Sequence, residues 1–324
     1  MIIITGGAGM IGSMVAWCLN QQGDDHLLIV DDMHHPEQWQ NLCHRKYVNY
    51  LDQRRLPDFL AHTSETVRAV IHMGAISDTT EQNWQALLDH NVYYSQFLWD
   101  WCVEKGVPFF YASSAATYGA GEGGYDDVSI EGLRPLNAYG YSKHFFDQWV
   151  MRQVALRRMP PRWAGFKFFN VYGPNEYHKQ RMASMVFHGF HQLCATGTIR
   201  LFRSHREDIA DGLQSRDFVY VKDVASVLCW FVVQEAALSG LYNIGSGEAR
   251  SFLDVATLVA INAGYEPSVT WIDMPADLDG RYQYFTQACI ARLREAGYTA
   301  PFCSLEEGIA DYVRCYLMQR DPYC

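Results

Sequence analysis

The chain has 324 residues, 49% of them hydrophobic and 19% charged, which is typical of a folded globular protein. Its 26 Lys and Arg residues against 36 Asp and Glu residues give a net charge of −10, which argues against a nucleic-acid partner and an anionic membrane surface. No apolar stretch approaches the roughly 18 residues of a membrane span, and the first residues lack the basic start of a signal peptide. We therefore expect a cytoplasmic protein with no membrane partner.

In the first half of the chain, short apolar and β-branched runs alternate with longer helical patterns. The strand-like runs cover residues 2–4, 27–30, 69–72, 108–112 and 163–171. The helical patterns cover residues 11–22, 84–104 and 139–157. Strands that alternate with helices predict βαβ units, so the expected fold class is α/β with a Rossmann-type, doubly wound parallel sheet.

The second half is predicted to form a smaller C-terminal α/β lobe that is not cleanly separated from the first. Strands are predicted near residues 200, 217, 241 and 269, and helices over residues 182–196, 221–236, 252–263 and 305–317. We place the domains at 1–170 and 171–324, with parts such as 216–247 returning to the first domain. The polar, charged stretch 203–215 predicts an exposed loop near a site.

Cysteine and histidine spacing predicts no metal site. The nine cysteines are widely spread without a C-x-x-C pair, a pattern typical of reduced thiols in a cytoplasmic protein. His188 and His191 are three residues apart, but no further ligands lie near them in the sequence.

A glycine-rich loop follows the first predicted strand and opens the first predicted helix. Gly6, Gly9 and Gly12 lie in the sequence Thr5-Gly-Gly-Ala-Gly-Met-Ile-Gly12. Missing side chains allow a tight turn and a close approach of the backbone to a pyrophosphate, and the helix N-terminus supplies N–H groups. Asp31 ends the next strand, where an acid accepts a hydrogen bond from a ribose hydroxyl. The segment therefore predicts a dinucleotide site.

A second motif supplies candidate catalytic groups. Tyr139 and Lys143 form Tyr-x-x-x-Lys, and on a helix these positions share one face. A neighbouring ammonium and an oxidised nicotinamide both favour the phenolate, so we expect them to lower the pKa of Tyr139 and the phenol to move a proton during hydride transfer. Upstream, an apolar strand ends in hydroxyl residues. Ser114 is the better candidate to bind the reacting oxygen, and Ser113 is a candidate structural turn residue.

Together, these motifs resemble the extended short-chain dehydrogenase/reductases that act on nucleotide sugars. Further stretches narrow the resemblance to the ADP-L-glycero-D-manno-heptose 6-epimerases, over nearly the whole chain. These stretches are 74–75 with 79–81, 113–119, 135–137, 168–174, 178–179, 182–184, 216–221, 280–283 and 285–288. The stretches after Tyr172 and around Tyr282 are specific to this family rather than to the superfamily.

The resemblance implies an enzyme that inverts carbon 6 of an ADP-linked heptose for lipopolysaccharide inner-core synthesis. Tightly bound NAD or NADP oxidises C6 to a ketone, and the hydride returns to the other face. Inversion suggests two proton-handling groups. Tyr139 matches one of them and Lys179 the other, with His178 as a competitor of Lys179. A Lys can act in this way only if burial or cationic neighbours lower its pKa.

Further contacts are implied by the same resemblance, as is a homo-oligomer. The implied cofactor contacts, beyond the glycines and Asp31, are Met10, Ile11, Asp32, Gly74, Ala75, Asn91, Tyr139, Lys143 and Val171. The implied substrate contacts are Ser114, Asn170, Arg181, His188, Phe202, Arg216 and Tyr282. Arg216 is suited to a diphosphate because a guanidinium forms bidentate, charge-assisted hydrogen bonds.

The sequence departs from the family pattern in two places. Gln38 and Gln53 stand where the family carries lysines that support a 2′-phosphate, while Asp31 remains to repel it. Arg45 or Lys46 is a candidate to offset that repulsion, and we expect NAD to be favoured over the family's NADP. Secondly, Arg181 stands where the family has a Ser, and the loop over 203–215 is longer, which leaves the exact sugar open.

Two other functions compete with this one. The first is another NAD(P)-dependent nucleotide-sugar epimerase or reductase of the same superfamily. A 4,6-dehydratase is disfavoured, because Ala115 and Ala116 stand where that family places an Asp-Glu pair. The second is a non-catalytic cofactor sensor, which has no need for the Tyr139/Lys143 pair or for Lys179.

Overall fold

The computed structural model describes residues 1–236, 238–275 and 282–324. Gly280 and Arg281, which belong to a family-like stretch, lie outside the described residues. The strands are β1 (Ile2–Thr5), β2 (Leu27–Asp31), β3 (Asn49–Asp52), β4 (Ala69–His72), β5 (Phe109–Ser114), β6 (Trp163–Phe168), β7 (Asn170–Tyr172), β8 (Ile199–Phe202), β9 (Ser215–Tyr220), β10 (Gly240–Ile244), β11 (Ala249–Ser251) and β12 (Val269–Ile272). The helices are α1 (Met10–Gln21), α2 (Leu56–His62), α3 (Trp84–Leu87), α4 (Tyr94–Lys105), α5 (Ala138–Ala155), α6 (Met185–Thr196), α7 (Val221–Val233), α8 (Phe252–Ala263), α9 (Ala291–Glu295) and α10 (Leu305–Tyr312).

Seven parallel strands form the central sheet in the order β10-β6-β5-β4-β1-β2-β3. Successive side chains of a strand point to opposite faces, so Ile2 and Ile4 enter one apolar layer and Ile3 enters the other. Helices α1 and α7 cover the first face, and α2, α4 and α5 cover the second. Burial on both faces explains why β1 has no polar alternation. The predicted α/β fold with a doubly wound parallel sheet is confirmed.

The remaining strands build two small sheets beside the central one. Strands β11, β9 and β7 form one, and β12 pairs in parallel with β8 in the other. Helix α7 and strand β10 lie between β9 and β11 in the chain. Helix α7 packs against α1, and β10 joins the edge of the central sheet beside β6. The chain thus crosses from the central sheet to the small sheets and back before it ends.

Most predicted elements coincide with observed ones, and the differences have local causes. The predicted helix 84–104 is α3 and α4 joined by a π-helical turn over Leu88–Tyr93. The predicted helix 182–196 begins at Met185, because the Ser184 hydroxyl accepts a hydrogen bond from the Phe187 N–H at 3.3 Å and caps it. The predicted helix 305–317 becomes a π-helical turn after Tyr312. The sequence did not predict β3, α2, β11 or α9, of which the last three have at most seven residues.

The carboxyl ends of the central strands define the candidate site. The strand order reverses between β1 and β4, because β2 continues the sheet on one side and β5 on the other. In open α/β sheets, ligands bind in the crevice at such a switch point. Within the described ranges, no helix combines the length and the hydropathy that crossing a membrane would require.

Candidate active site

The glycine-rich loop after β1 lies against the loop after β4. Gly6 has a φ of +62°, and a Cβ there would lie 2.5 Å from the backbone nitrogen of Gly74. A Cβ on Gly12 would lie 2.2 Å from the carbonyl oxygen of Gly6. Side chains at these positions would therefore push apart the loop and the start of α1.

Helix α1 begins at Met10, directly behind this loop. Gly9 precedes its first turn, and in the described part of the chain no side chain caps it. The N–H groups of Met10, Ile11 and Gly12 belong to a helix start, where N–H groups have no acceptor within the helix. The uncapped start can bind a pyrophosphate through these donors and the helix dipole.

Asp31, at the carboxyl end of β2, is buried and held by three donors. Its carboxylate accepts from the Ala8 N–H at 2.9 Å, from the Asp32 N–H at 2.9 Å and from Nε2 of Gln38 at 3.1 Å. Burial nevertheless raises the pKa of Asp31, because it outweighs the backbone donors. The carboxylate is thus fixed beside the glycine loop, where a ribose hydroxyl could donate to it.

The second acid, Asp32, is also paired with a glutamine. Nε2 of Gln53 donates to its carboxylate at 2.5 Å, and His34 lies 2.6 Å from the same oxygen. Neither proposed offsetting cation reaches these acids. The ε-ammonium of Lys46 lies 3.8 Å from Asp25, and the ionisable groups that act on the buried Arg45 are those of Cys324 and Tyr316.

Tyr139 and Ser114 meet at the carboxyl end of β5. Tyr139 is buried in the first turn of α5, and its hydroxyl is hydrogen bonded to Ser114. The Ser114 hydroxyl also accepts from the Ala116 N–H at 3.1 Å. Gly140 allows α5 to approach the turn that follows β5, since a Cβ there would lie 2.8 Å from the carbonyl oxygen of Ala116.

In the protein alone, burial has the largest effect on the pKa of both Tyr139 and Lys143. Burial raises the pKa of Tyr139, and the hydrogen bond with Ser114 opposes this effect only in part. Lys143 lies one turn further along α5, where its ammonium donates to the Ala112 carbonyl at 3.0 Å. Burial lowers the pKa of Lys143 to about 8, against the attraction of Asp147. The predicted lowering of the Tyr139 pKa requires an oxidised nicotinamide as well as Lys143, so it stays a prediction for the cofactor-bound protein.

The loop after β4 is fixed from two sides. The Gly74 N–H faces Oγ1 of Thr5 at 3.4 Å, and Ala75 follows directly. The Asn91 amide accepts from the Ile76 N–H at 2.9 Å and donates to the Ile76 carbonyl at 3.0 Å and to the Ser142 hydroxyl at 3.0 Å. Asn91 therefore links this loop to α5.

Lys179 lies in a short 3₁₀ turn, Tyr177–Met182, that reaches the start of α1. Its ammonium is 4.0 Å from the sulfur of Met10. Burial lowers the pKa of Lys179, while the neighbouring carboxylate of Glu176 opposes the shift. Nδ1 of His178 lies 3.2 Å from Nδ2 of Asn41, and burial lowers the pKa of His178 to about 4. Lys179, rather than His178, thus contacts the start of α1 beside the glycine-rich loop.

Arg216 and Tyr282, which the resemblance implies as substrate contacts, lie against each other. The buried guanidinium lies 4.9 Å from the centre of the Tyr282 ring and 5.6 Å from that of Phe252. Within the described residues, the ionisable groups that act on it are the phenols of Tyr282 and Tyr125 rather than a carboxylate. A buried guanidinium without an acidic partner is suited to an anionic ligand.

The other proposed contacts lie on β7, β8, α6 and the turn Tyr177–Met182. Asn170 and Val171 form the start of β7, and Phe202 ends β8. Nε2 of His188 on α6 faces the Arg181 carbonyl at 3.3 Å. The Arg181 guanidinium donates to Asp78 at 2.7 Å and also contacts Thr80, so it links the lobe around Lys179 to the loop after β4.

The sequence analysis did not identify several polar residues that lie near the site. Asn41 donates to the carbonyls of Ala8 and Asn175 at 2.8 and 3.1 Å, which ties the glycine loop to the segment that carries Lys179. Asp147 and Lys167 form a buried ion pair below Ser113. The spacing of four residues from Lys143 to Asp147 was a usable signal, but Asn41 and Lys167 act through non-local contacts. No group of three potential metal-binding side chains occurs among the residues described.

Comparison with known proteins identifies relatives over the whole chain. A family model described as the NAD dependent epimerase/dehydratase family matches residues 2–245. A protein of Fusobacterium nucleatum named ADP-L-glycero-D-manno-heptose-6-epimerase is 50% identical, with 100% of both chains covered. A protein of the same name from Nitratidesulfovibrio vulgaris is 45% identical, again with 100% of both chains covered.

Solved structures agree with this grouping. The Helicobacter pylori ADP-L-glycero-D-manno-heptose-6-epimerase superposes with a TM-score of 0.80 at 29% identity, covering 96% of this chain and 94% of that one. The Thermus thermophilus UDP-glucose 4-epimerase in complex with NAD superposes with a TM-score of 0.76 at 22% identity, covering 96% of this chain and 97% of that one. The second similarity concerns the fold alone.

Proposed function

We infer that this chain, which belongs to the NAD-dependent epimerase/dehydratase family and within it to the ADP-L-glycero-D-manno-heptose-6-epimerases, inverts carbon 6 of ADP-D-glycero-D-manno-heptose. The observation that carries this assignment is the 50% identity over 100% of both chains with a relative of that name. The reaction oxidises C6 to a 6-keto intermediate and reduces it on the other face, with no net redox change. Its product would serve lipopolysaccharide inner-core synthesis.

The cofactor site is proposed at the switch point between β1 and β4. The uncapped start of α1 would hold the pyrophosphate, and Asp31 would accept from a ribose hydroxyl. When bound, the nicotinamide accepts a hydride from C6 and returns it. Asp32, Gly74, Ala75, Asn91 and Val171 complete the proposed cofactor contacts.

Tyr139 is proposed to move the proton in one orientation of the sugar. Its hydroxyl is hydrogen bonded to Ser114, so a C6 oxygen that binds between them would meet an acid–base group and a donor. Because burial raises the pKa of Tyr139, the phenol is protonated in the protein alone. It is therefore ready to donate to the ketone, and in the opposite direction it needs nearby positive charge to lose its proton. Lys143 supplies one such charge.

Lys179 is proposed to serve the other orientation of the sugar. Inversion requires the ketone to present both faces to a fixed hydride donor, which moves the C6 oxygen away from Tyr139. Lys179 lies at the start of α1 with a pKa lowered by burial, as a proton-transferring ammonium requires.

Arg216 is proposed to bind the diphosphate of the substrate. Its guanidinium is buried between Tyr282 and Phe252, and the sugar must turn while the nucleotide stays bound. A fixed anchor of this kind allows rotation about bonds beyond the diphosphate. Asn170, Arg181, His188 and Phe202 are the remaining proposed substrate contacts.

NAD is proposed as the preferred cofactor. Gln38 and Gln53 donate neutral amide hydrogens to Asp31 and Asp32, so neither donor brings a positive charge to these acids near the adenosine ribose. A 2′-phosphate there would meet like charge. The bound cofactor can be released by denaturation and identified by mass.

A direct experiment tests the proposed function. The purified protein is incubated with ADP-D-glycero-D-manno-heptose, and NMR follows the configuration at C6 of the product. We expect conversion to a mixture of both C6 epimers without added cofactor, since the cofactor is retained between turnovers. UDP-glucose, tested for inversion at C4, is the matched control substrate. Inversion of UDP-glucose with none of the heptose would replace the assignment by another nucleotide-sugar epimerase.

We also propose that the chain acts as a cytoplasmic homo-oligomer. Trp84 and Tyr141 support a homo-oligomer, because their partly exposed rings form an apolar surface on α3 and α5. The centres of the two rings are 5.5 Å apart. Sedimentation velocity would test the oligomer, and a purely monomeric species would contradict it.

A further inference from the structure

A fully buried ion pair lies directly below the catalytic end of β5. The side chains of Asp147 on α5 and Lys167 on β6 are both 0% exposed, and their charged atoms are 2.8 Å apart. Asp147 also accepts from the Tyr111 hydroxyl at 2.9 Å and from the Ser113 hydroxyl at 2.7 Å. Its carboxylate therefore has three donors on two neighbouring strands.

Stability alone gives little reason for this pair. Removing two charges from water is costly, and well-packed apolar residues of similar volume usually serve a core as well or better. The surrounding layer offers apolar packing, because Phe146 and Val150 on the same helix are buried. A role in the site would account for charge at this position.

The pair is connected to the candidate catalytic residues by two routes. Asp147 binds Ser113, which precedes Ser114 in β5. Lys167 donates to the Thr117 hydroxyl at 2.8 Å, and that hydroxyl donates to the Ser114 carbonyl at 2.8 Å. Both ends of the pair thus hold the strand end on which Ser114 meets Tyr139.

The carboxylate also acts on Lys143, which lies one helical turn before it on α5. The titratable groups around these two residues are His72 on β4, Tyr111 on β5, Tyr118 after β5, Lys167 on β6, and Tyr139 and His144 on α5 itself. His72 carries no charge at neutral pH, because burial and the nearby Lys143 lower its pKa to about 3. Within the described residues, Asp147 is therefore the anion that favours a charged Lys143.

We propose that Asp147, supported by Lys167, is a positioning residue of the epimerase: it anchors the end of β5 that carries Ser114 and keeps the Lys143 ammonium charged beside Tyr139. This inference rests on the proposed function of Tyr139 and Lys143. Asp147 does not touch the reacting atoms and acts only through its neighbours. Its removal should therefore change the pH dependence of the site and not only its stability.

The first measurement is the pH profile of single-turnover cofactor reduction. Asp147→Asn keeps the shape of the side chain and removes its charge. Without that charge Lys143 loses its proton at lower pH, so we expect the alkaline fall in rate to move about one pH unit toward acid. Asp100→Asn is the matched control, because it removes the same charge from an exposed position of α4. In this variant the alkaline fall in rate should occur at the same pH as in the parent.

The second measurement needs neither substrate nor cofactor. Lys143 has a pKa of about 8 in the folded chain and its ordinary, higher pKa in the unfolded chain. Unfolding therefore takes up a proton between these two values, and the free energy of unfolding should rise with pH across that window. In Asp147→Asn the rise of the free energy of unfolding with pH should begin about one pH unit lower. The difference between Asp and Asn should disappear in a Lys143→Met background.

The outcomes separate the two proposals. Failure of the parent to invert the heptose would count against the proposed function, while the unfolding series still tests Asp147. Asp147→Asn could leave unchanged both the alkaline fall in rate and the pH dependence of the free energy of unfolding. Asp147 would then have a structural role only, and the inference would be wrong. If Asp147→Asn fails to fold, Asp147→Asn with Lys167→Met removes both charges. Because loss of the Lys167 cation offsets part of the effect on Lys143, a smaller shift in the same direction is expected.

Discussion

Gln38 donates its side-chain amide to the carboxylate of Asp31 at 3.1 Å, so a neutral donor satisfies the acid at the end of β2. An amide adds no positive charge, so this donor does not offset the charge of the carboxylate. Position 38, where the related family carries a lysine that supports a 2′-phosphate, therefore holds a glutamine that only orients Asp31. We expect the cofactor preference to depend on this contact.

Replacing Gln38 with Lys should increase the affinity for NADP. An ammonium at this position would neutralise Asp31 and could bind a 2′-phosphate, and a hydrogen bond to a charged group contributes about 1.5–3 kcal/mol. We expect the ratio of NADP to NAD affinity to rise roughly tenfold or more, as measured by isothermal titration of the cofactor-free protein. Gln21→Lys, on the exposed end of α1, adds the same charge away from Asp31 and should leave the ratio unchanged. Equal ratios in both variants would contradict this account.

Replacing Tyr139 with Phe should abolish most of the turnover and leave the fold intact. The ring remains buried, and the variant loses only the hydroxyl that meets Ser114. General acid–base groups typically contribute about 10²–10⁴ in rate, so we expect a loss of that size. NMR of the product at C6 measures the rate. Tyr141→Phe, on the exposed face of the same helix, should turn over like the parent. A Tyr139→Phe rate near that of the parent would remove Tyr139 from the mechanism.

Local sequence patterns predicted the elements that local physics determines. The run Ile2–Ile4 could be placed in a central strand because both of its faces are apolar. The glycines could be placed at a phosphate loop because only a missing side chain allows their contacts, as the 2.5 Å between a Cβ on Gly6 and Gly74 illustrates. Tyr139 and Lys143 shared a helix face by their spacing alone.

Non-local contacts explain what the sequence could not predict. Lys167 looked like one polar residue in an apolar strand, and its partner Asp147 lies 20 positions away on a different element. The pKa of Tyr139 depends on how deeply the ring is buried, which the motif does not contain. The edge strand β3 has only partly buried and exposed residues, so it carries no apolar run.

Replacing Arg216 with Met should weaken substrate binding far more than it slows the chemistry. The guanidinium lies between Tyr282 and Phe252 without a carboxylate partner in the described residues, so its loss leaves no buried acid unpaired. Loss of charge-assisted hydrogen bonds to a diphosphate should raise KM about 10- to 100-fold. Steady-state kinetics with the ADP-heptose measures this, and Arg200→Met, at an exposed position of β8, is the control. A KM unchanged from the parent would place the diphosphate elsewhere.

The two proposed proton-handling groups approach the crevice from different elements. Tyr139 belongs to α5 and meets the end of β5. Lys179 belongs to the turn Tyr177–Met182 and meets Met10 at the start of α1. A ketone that turns over within the site would face one group and then the other, which gives each variant its own defect.

Lys179→Met and Tyr139→Phe should fail with opposite C6 epimers. Lys179→Met removes the proton-transferring group for one orientation, so oxidation of one epimer should be lost and oxidation of the other partly retained. Tyr139→Phe should show the reverse preference. Single-turnover reduction of the bound cofactor, followed by nicotinamide absorbance with each epimer, measures all four rates. Lys105→Met, at an exposed lysine that ends α4, is the matched control and should oxidise both epimers at the parent rate. If Lys179→Met does the same, Lys179 handles no proton and one group serves both faces; reciprocal losses would assign each group to its epimer.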